Sequence, residues 1–343
     1  MFKLFWVVVL GLACLGVHAA DFSFGLWGDM PYAKNKDGAQ TQAVMDSINA
    51  SDIAFSIFDG DFKDGSSSCH DALYAHTWHT FNTMRQPLVY VPGDNEWTDC
   101  HKSKQFASGA PLKELAAVRS LFFAKAGRTL GRNERDVTSQ AKAYNPAYPD
   151  DAKFVENVMW QDARVVFATF NMPGSNNDGL PWTGAFSDPA AQAQEVLQRN
   201  AANSRWLQAT FDRAQRTRAK AVVIGLQADM WDPAAVVAGG DGLFGYTAFV
   251  RQLADLALRF SRPVLLVNGD SHVYGADRPL ADPASASGRI HGTPAVPNLQ
   301  RITVQGSTNS PAEWVKLTID TRTAAVFSWQ NVVWCTNATG SCH

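Results

Sequence analysis

Five short runs rich in Val, Ile and aromatic residues each stop abruptly at a glycine and a polar side chain, and this recurrence limits the possible folds more than any other feature. Phe22–Trp27 runs into Gly28-Asp29, Ile53–Phe58 into Asp59-Gly60-Asp61, and Leu88–Val91 into Pro92-Gly93-Asp94. Ala221–Ile224 runs into Gly225-Leu226-Gln227, and Val264–Val267 into Asn268-Gly269-Asp270. Continuous apolar runs this short, closed by glycine, read as strands buried on both faces. Helical spacing lies between them: Leu73, Thr77, Phe81 and Met84; Leu207, Phe211 and Ala214; and the clearest stripe, Phe249, Val250, Leu253, Leu256 and Phe260. Strands alternating with helices predict an α/β architecture, in which ligands bind outside the carboxyl ends of the strands.

Other segments add to this frame. Phe154–Trp160 and Arg164–Phe170, around Gln161-Asp162, predict a hairpin. Ile302–Val304, Trp314–Ile319 and Ala324–Trp329 predict further strands and so a second sheet. Residues 101–150 have no clean period and read as helix plus long loops. The chain of 343 residues, 46% hydrophobic and 18% charged, is long enough for one large α/β domain or for two domains. Its 30 basic and 32 acidic residues leave no electrostatic footprint for nucleic acid.

The N-terminus predicts export. After Lys3, Leu4 to Val17 is an apolar or small run of 14 residues, shorter than the roughly 18 a membrane span needs. It ends in Val17-His18-Ala19-Ala20, a signal-peptide cleavage pattern, so residues 1–19 are read as a signal peptide and the protein as secreted or periplasmic. A lipoprotein reading through Cys14 is weaker, because Gly11 stands where a leucine is expected. No later run reaches spanning length. Export leaves Cys69, Cys100, Cys335 and Cys342, which permit three disulfide pairings. No paired CxxC supports a structural zinc site.

The strand-end motifs are Gly28-Asp29-Met30-Pro31-Tyr32, Gly60-Asp61-Phe62-Lys63-Asp64, Gly93-Asp94-Asn95-Glu96, Gly225-Leu226-Gln227 and Gly269-Asp270-Ser271-His272. In order and spacing, over residues 22–274, they resemble the calcineurin-like metallophosphoesterases, the superfamily that contains the purple acid phosphatases. Asn203–Ala214 resembles the helix that precedes the fourth motif. The resemblance implies a four-layer sandwich, two mixed β-sheets flanked by helices, over residues 20–330, with residues 331–343 as a disulfide-tied tail. It implies a two-metal centre hydrolysing phosphate esters, hence a small phosphorylated substrate. No oligomeric state follows.

Carried over residue by residue, Asp29, Asp61 and His272 match first-metal ligands, with Asp61 bridging both metals. Asp94, Gln227 and Asp270 fall at second-metal positions, where the family has an asparagine and two histidines. An oxygen-only second site suits Mg²⁺, Mn²⁺ or Ca²⁺, with Fe or Zn as further options. Asn95 stands where the family often has the histidine that protonates the leaving group, and Pro31 where many first motifs have a histidine. Acid catalysis then needs another donor, with His70, His76, His79 and His101 as candidates, while Lys63 could replace a cation as local positive charge. Cys69 and Cys100 follow the second and third motifs, so a bridge between them would brace the pocket rim; Cys335–Cys342 would close the tail. Ser175–Asp178, after Asn171-Met172-Pro173-Gly174, falls on the substrate side. The departures from the family also admit a binding protein that has lost catalysis.

Two patterns compete. Gly240-Asp241-Gly242-Leu243-Phe244-Gly245 fits a dinucleotide fingerprint but lacks a preceding strand. Gly269-Asp270-Ser271-His272 resembles the serine block of GDS-type esterases, but stands late in the chain without the expected partner.

Overall fold

The computed structural model describes residues 21–307, 309 and 312–333. The predicted cleavage site and the Cys335–Cys342 pairing lie outside them. Twelve strands form two mixed sheets. One has the order β12-β11-β1-β2-β3, with β1 Phe22–Trp27, β2 Ser56–Phe58, β3 Leu88–Tyr90, β11 Glu313–Asp320 and β12 Val326–Val333. The other has the order β4-β5-β6-β7-β8-β10-β9, with β4 Thr138–Ser139, β5 Val158–Asp162, β6 Val165–Thr169, β7 Ala221–Gly225, β8 Val264–Asn268, β9 Gly275–Asp277 and β10 Leu299–Thr303. β1, β2 and β3 are parallel, as are β6, β7, β8 and β10. Antiparallel strands close the sheet margins.

Side chains alternate between two apolar layers, as a pleated strand buried on both faces requires. Val223, Leu265 and Val267 meet Phe24, Leu26, Ile57 and Leu317 between the sheets. Val222, Ile224, Val264 and Leu266 face helices Pro189–Arg216 and Thr247–Phe260 on one outer surface. Trp27, Phe58 and Leu88 face helices Gly38–Ala50, Asp71–Phe81 and Pro111–Phe122 on the other. The fold is thus a sandwich of two mixed sheets flanked by helices. Among the described residues, no helix is long and apolar enough to cross a membrane.

Two local expectations shift, and the reading of 101–150 as helix plus loops stands. The hairpin turns at Ala163-Arg164, both at positive φ, and Gln161-Asp162 end β5 instead. β12 continues to Val333, so a tail boundary at 331 would cut a strand. The stretch 101–150 contains helix Pro111–Phe122 and the short β4 among loops and turns.

Candidate metal centre

Parallel strands direct their carboxyl ends the same way, and the ends of β1, β2, β3, β7 and β8 meet where the two sheets abut. The Asp29 amide donates to the Gly60 carbonyl and the Gly269 amide to the Gln227 carbonyl. The Asp270 amide reaches both Asp29 carboxylate oxygens, at 3.2 and 3.1 Å. Gly60 permits the close approach: at φ +111°, its place would put a Cβ 2.6 Å from Cγ of Gln227.

Two three-residue groups result. Asp29, Asp61 and His272 form one, and Asp61, Asp94 and Asp270 the other, with ligand atoms in each within 4.8 Å of one another. Asp61 belongs to both. The Tyr32 hydroxyl lies inside the first group, 2.8 Å from Nε2 of His272, 3.3 Å from Asp61 and 3.5 Å from Asp29. Asp29, Asp61, Asp270 and His272 all have positive φ, between 50° and 73°. Such backbone costs about 1–2 kcal/mol per L-residue, though less for aspartate, and concentrates at functional sites.

Burial and mutual repulsion dominate the electrostatics of these acids. Burial, then Asp94, pushes the Asp61 carboxyl well above the usual range. Burial and Asp99 raise Asp94; burial with Asp94 and Asp29 raises Asp270. Behind them Asp59 is buried with neither carboxylate oxygen hydrogen-bonded, and burial holds it well above the usual range too. Burial pulls His272 down, but the adjacent Asp29 outweighs this and leaves its pKa raised. Acids packed this closely must take up protons or cations.

The donor chemistry differs between the groups. The first offers carboxylate oxygen, imidazole nitrogen and a phenol, which suits a divalent cation. The second has carboxylates only, and Gln227 joins it through the wrong end of its amide. Its Oε1 accepts the Gly174 amide, and Nε2 donates to Asp94 and Asp270 at 3.2 Å each. As oriented, Gln227 is a donor to the acids and not an oxygen ligand.

Other expected residues take distinct places. Asn95 lines the cleft, but its backbone and side-chain N–H groups both hold Asp61, at 3.1 and 2.7 Å. Lys63 is buried away from the cleft, with Nζ donating to carbonyl oxygens of Asp64, Asn95 and Gln105; it braces the Asn95 loop, and burial lowers its pKa to about 8. His70 caps helix Asp71–Phe81, and His76 and His79 are exposed on it. Buried His101 contacts Thr183. None of these four lines the cleft; His272 does. Ser271 donates to Asp229, not to a histidine, which disfavours the serine-esterase reading. The Gly240–Gly245 segment follows a 3₁₀ turn, Pro233–Val236, and does not directly follow a strand.

The cleft holds about 250 Å³. A larger, mainly apolar groove of about 730 Å³ lies elsewhere, beside Leu115, Phe154 and Gln198, away from the acids. Among the cleft residues that sequence reasoning missed are Tyr32, Lys34, Asp99, Lys104, Asp229, Asp232 and Tyr246. Of Ser175–Asp178, Ser175 and Asn176 line the cleft and Asn177 and Asp178 do not, on a turn whose four residues all have left-handed φ. Short polar side chains tolerate that conformation, and the Ser-Asn-Asn-Asp composition was its only signal. Ser175 Oγ donates to Asp94 and lies 2.8 Å from Asp99, which pairs with Lys102. A buried disulfide joins Cys69 and Cys100, Cα atoms 5.8 Å apart, the expected pairing, although neither cysteine lines the cleft.

No protein-family model matches the chain, and no curated protein sequence matches it. A solved structure described as "GAP50 the anchor in the inner membrane complex of Plasmodium" aligns with 93% of this chain and 90% of that one, at 10% identity and a TM-score of 0.39. A likeness of that size carries no argument about function.

Proposed function

We propose that the chain is an exported, metal-dependent phosphoesterase of the calcineurin-like type, hydrolysing a phosphate mono- or diester. The reading rests on the two ligand groups that share Asp61 at the carboxyl ends of parallel strands. Asp29, Asp61, His272 and Tyr32 would hold a cation, with Mn²⁺ or Mg²⁺ favoured, Ca²⁺ next, and Fe or Zn compatible with the imidazole. When bound, such a cation supplies Lewis acidity toward a phosphoryl oxygen and a water of lowered pKa. Asn95 fixes the rotamer of Asp61. Lys34 and Lys104 are the cationic lysines lining an otherwise acidic cleft, and they attract the phosphate dianion. Since Asn95 is committed to Asp61, esters with readily leaving, low-pKa alcohols are the preferred substrates.

The test is turnover of p-nitrophenyl phosphate and bis(p-nitrophenyl) phosphate by the mature protein with Mg²⁺, Mn²⁺, Ca²⁺ or Zn²⁺. Expected is cation-dependent hydrolysis that disappears in a folded Asp61→Ala variant. Absence of turnover with every cation overturns the enzyme reading. A second reading, a binding protein without catalysis, is favoured by the inward N–H groups of Gln227; it expects cation or phosphate to raise the melting temperature with no product formed.

A further inference from the structure

We infer that Gln227 stands in for a cation in the Asp61–Asp94–Asp270 group, so that the folded protein holds one cation tightly, at Asp29, Asp61 and His272, instead of two. This rests on the metal-centre reading above and departs from the two-metal centre that the motif order implies.

The amide cannot be turned round at low cost. Gly174 offers Gln227 a backbone N–H, which only an oxygen can accept. Reversing the amide would set N–H against N–H there and carbonyl oxygen against two carboxylates. The Gln227 side chain is fully buried and its stem packs on Gly60, so it has little room to withdraw. Gly174 is close for a reason: a Cβ there would lie 2.5 Å from Asp270 Oδ1 and 2.9 Å from Asp94 Oδ2.

The remaining oxygens of the group are engaged as well. Asp94 Oδ2 accepts from Ser175 Oγ at 2.8 Å, and Asp270 Oδ2 from the Asp229 amide at 3.1 Å. An amide N–H has no lone pair for a metal, so Gln227 excludes a cation from the position where it joins the two acids. The first group differs. Its close neighbours, His272 and Tyr32, carry ring nitrogen and phenol oxygen that can turn from hydrogen bonding to ligation.

Chelator-stripped mature protein titrated with Mn²⁺, followed by calorimetry, native mass spectrometry and electron paramagnetic resonance, separates the possibilities. Wild type is expected to take up one equivalent, with the spectrum of a magnetically isolated ion. Gln227→Glu is expected to tighten a second equivalent by about 10–100-fold, the usual reach of residues surrounding a metal site, and to give an exchange-coupled pair. Gln227→Ala, checked for folding by circular dichroism, tests the same point without adding charge and is expected to admit a weaker second ion. Two equivalents of similar affinity in wild type overturn the inference, as does a single equivalent in wild type and both variants. No Mn²⁺ uptake by wild type overturns the metal-centre reading itself, a separate result.

Discussion

The Tyr32 hydroxyl lies 2.8 Å from Nε2 of His272, and this contact places a phenol oxygen between residues from opposite ends of the chain. Asp61 and Asp29 approach the same oxygen at 3.3 and 3.5 Å. Burial, then Asp61 and Asp29, raises the Tyr32 pKa well above its ordinary value, so without a cation the hydroxyl keeps its proton and bonds to its neighbours. Tyr32→Phe removes that group with little change of volume. The expected result is a loss of about 1 kcal/mol in cation-free stability, one buried hydrogen bond, and cation binding weakened by about 10–100-fold. Denaturant melts without cation and Mn²⁺ titration check the two effects separately.

The parts of the centre that lie on strands were legible in the sequence; those that depend on a side chain's direction were not. Asp29, Asp61, Asp94 and Asp270 each follow a buried parallel strand, whose apolar run and terminal glycine mark both element and end. Lys63 follows Asp61 by two residues, yet its stem runs toward the Asn95 carbonyl and away from the cleft. Whether Gln227 presents oxygen or N–H depends on Gly174, 53 residues earlier in the chain. Tyr32 sits just past the first motif, where no strand period orients its side chain. The left-handed path of Ser175 to Asp178 is held by tertiary contacts: Arg199 donates to Asn177, and the Gly245 amide to Asn176.

Asp94→Asn tests whether the acids repel one another when no cation is present. An asparagine can accept from Gln227 through Oδ1 and turn its N–H₂ toward the Ser175 hydroxyl, so the hydrogen bonds survive. The folded-state pKa of Asp94 is raised above 3.8. Its unfolded form therefore ionises first, and wild type loses stability as pH rises from about 4. The variant should melt close to wild type at pH 4 and above it at pH 7 to 8, by a few degrees for each 1–2 kcal/mol of relieved repulsion. Thermal melts with chelator at the two pH values measure it; equal melting at both contradicts the repulsion.

Removing the disulfide should weaken the fold and the cleft together. Cys69 and Cys100 are 31 residues apart, and closing a loop of that length stabilises by about 3–4 kcal/mol in the chain-entropy treatment. The two sulfurs lie 3.6 and 3.8 Å from the Asn95 carbonyl oxygen, so the bridge also supports the residue that holds Asp61. The double variant Cys69→Ser/Cys100→Ser is expected to shift the urea midpoint down by that free energy and to bind cation more weakly. A lower midpoint with unchanged affinity would confine the bridge to a role in stability.

Asp178 supplies a pH dependence away from the clustered ligands. It ends the left-handed turn, with Oδ1 accepting from Trp182 Nε1 at 2.9 Å and Oδ2 buried without a hydrogen bond. Burial, then Glu195, raises its pKa from 3.8 to about 8. Between those values the unfolded chain carries the charge while the folded chain keeps the proton, so stability falls across the interval and levels off above about pH 8. Asp178→Asn preserves the acceptor for Trp182 and does not titrate. Wild type and variant should unfold at similar denaturant concentrations near pH 4, and the variant should be the more stable at pH 9. Denaturant midpoints across that range, taken with chelator present, decide it; parallel curves for the two proteins would mean that the Asp178 carboxyl ionises as freely in the folded state as in the unfolded one.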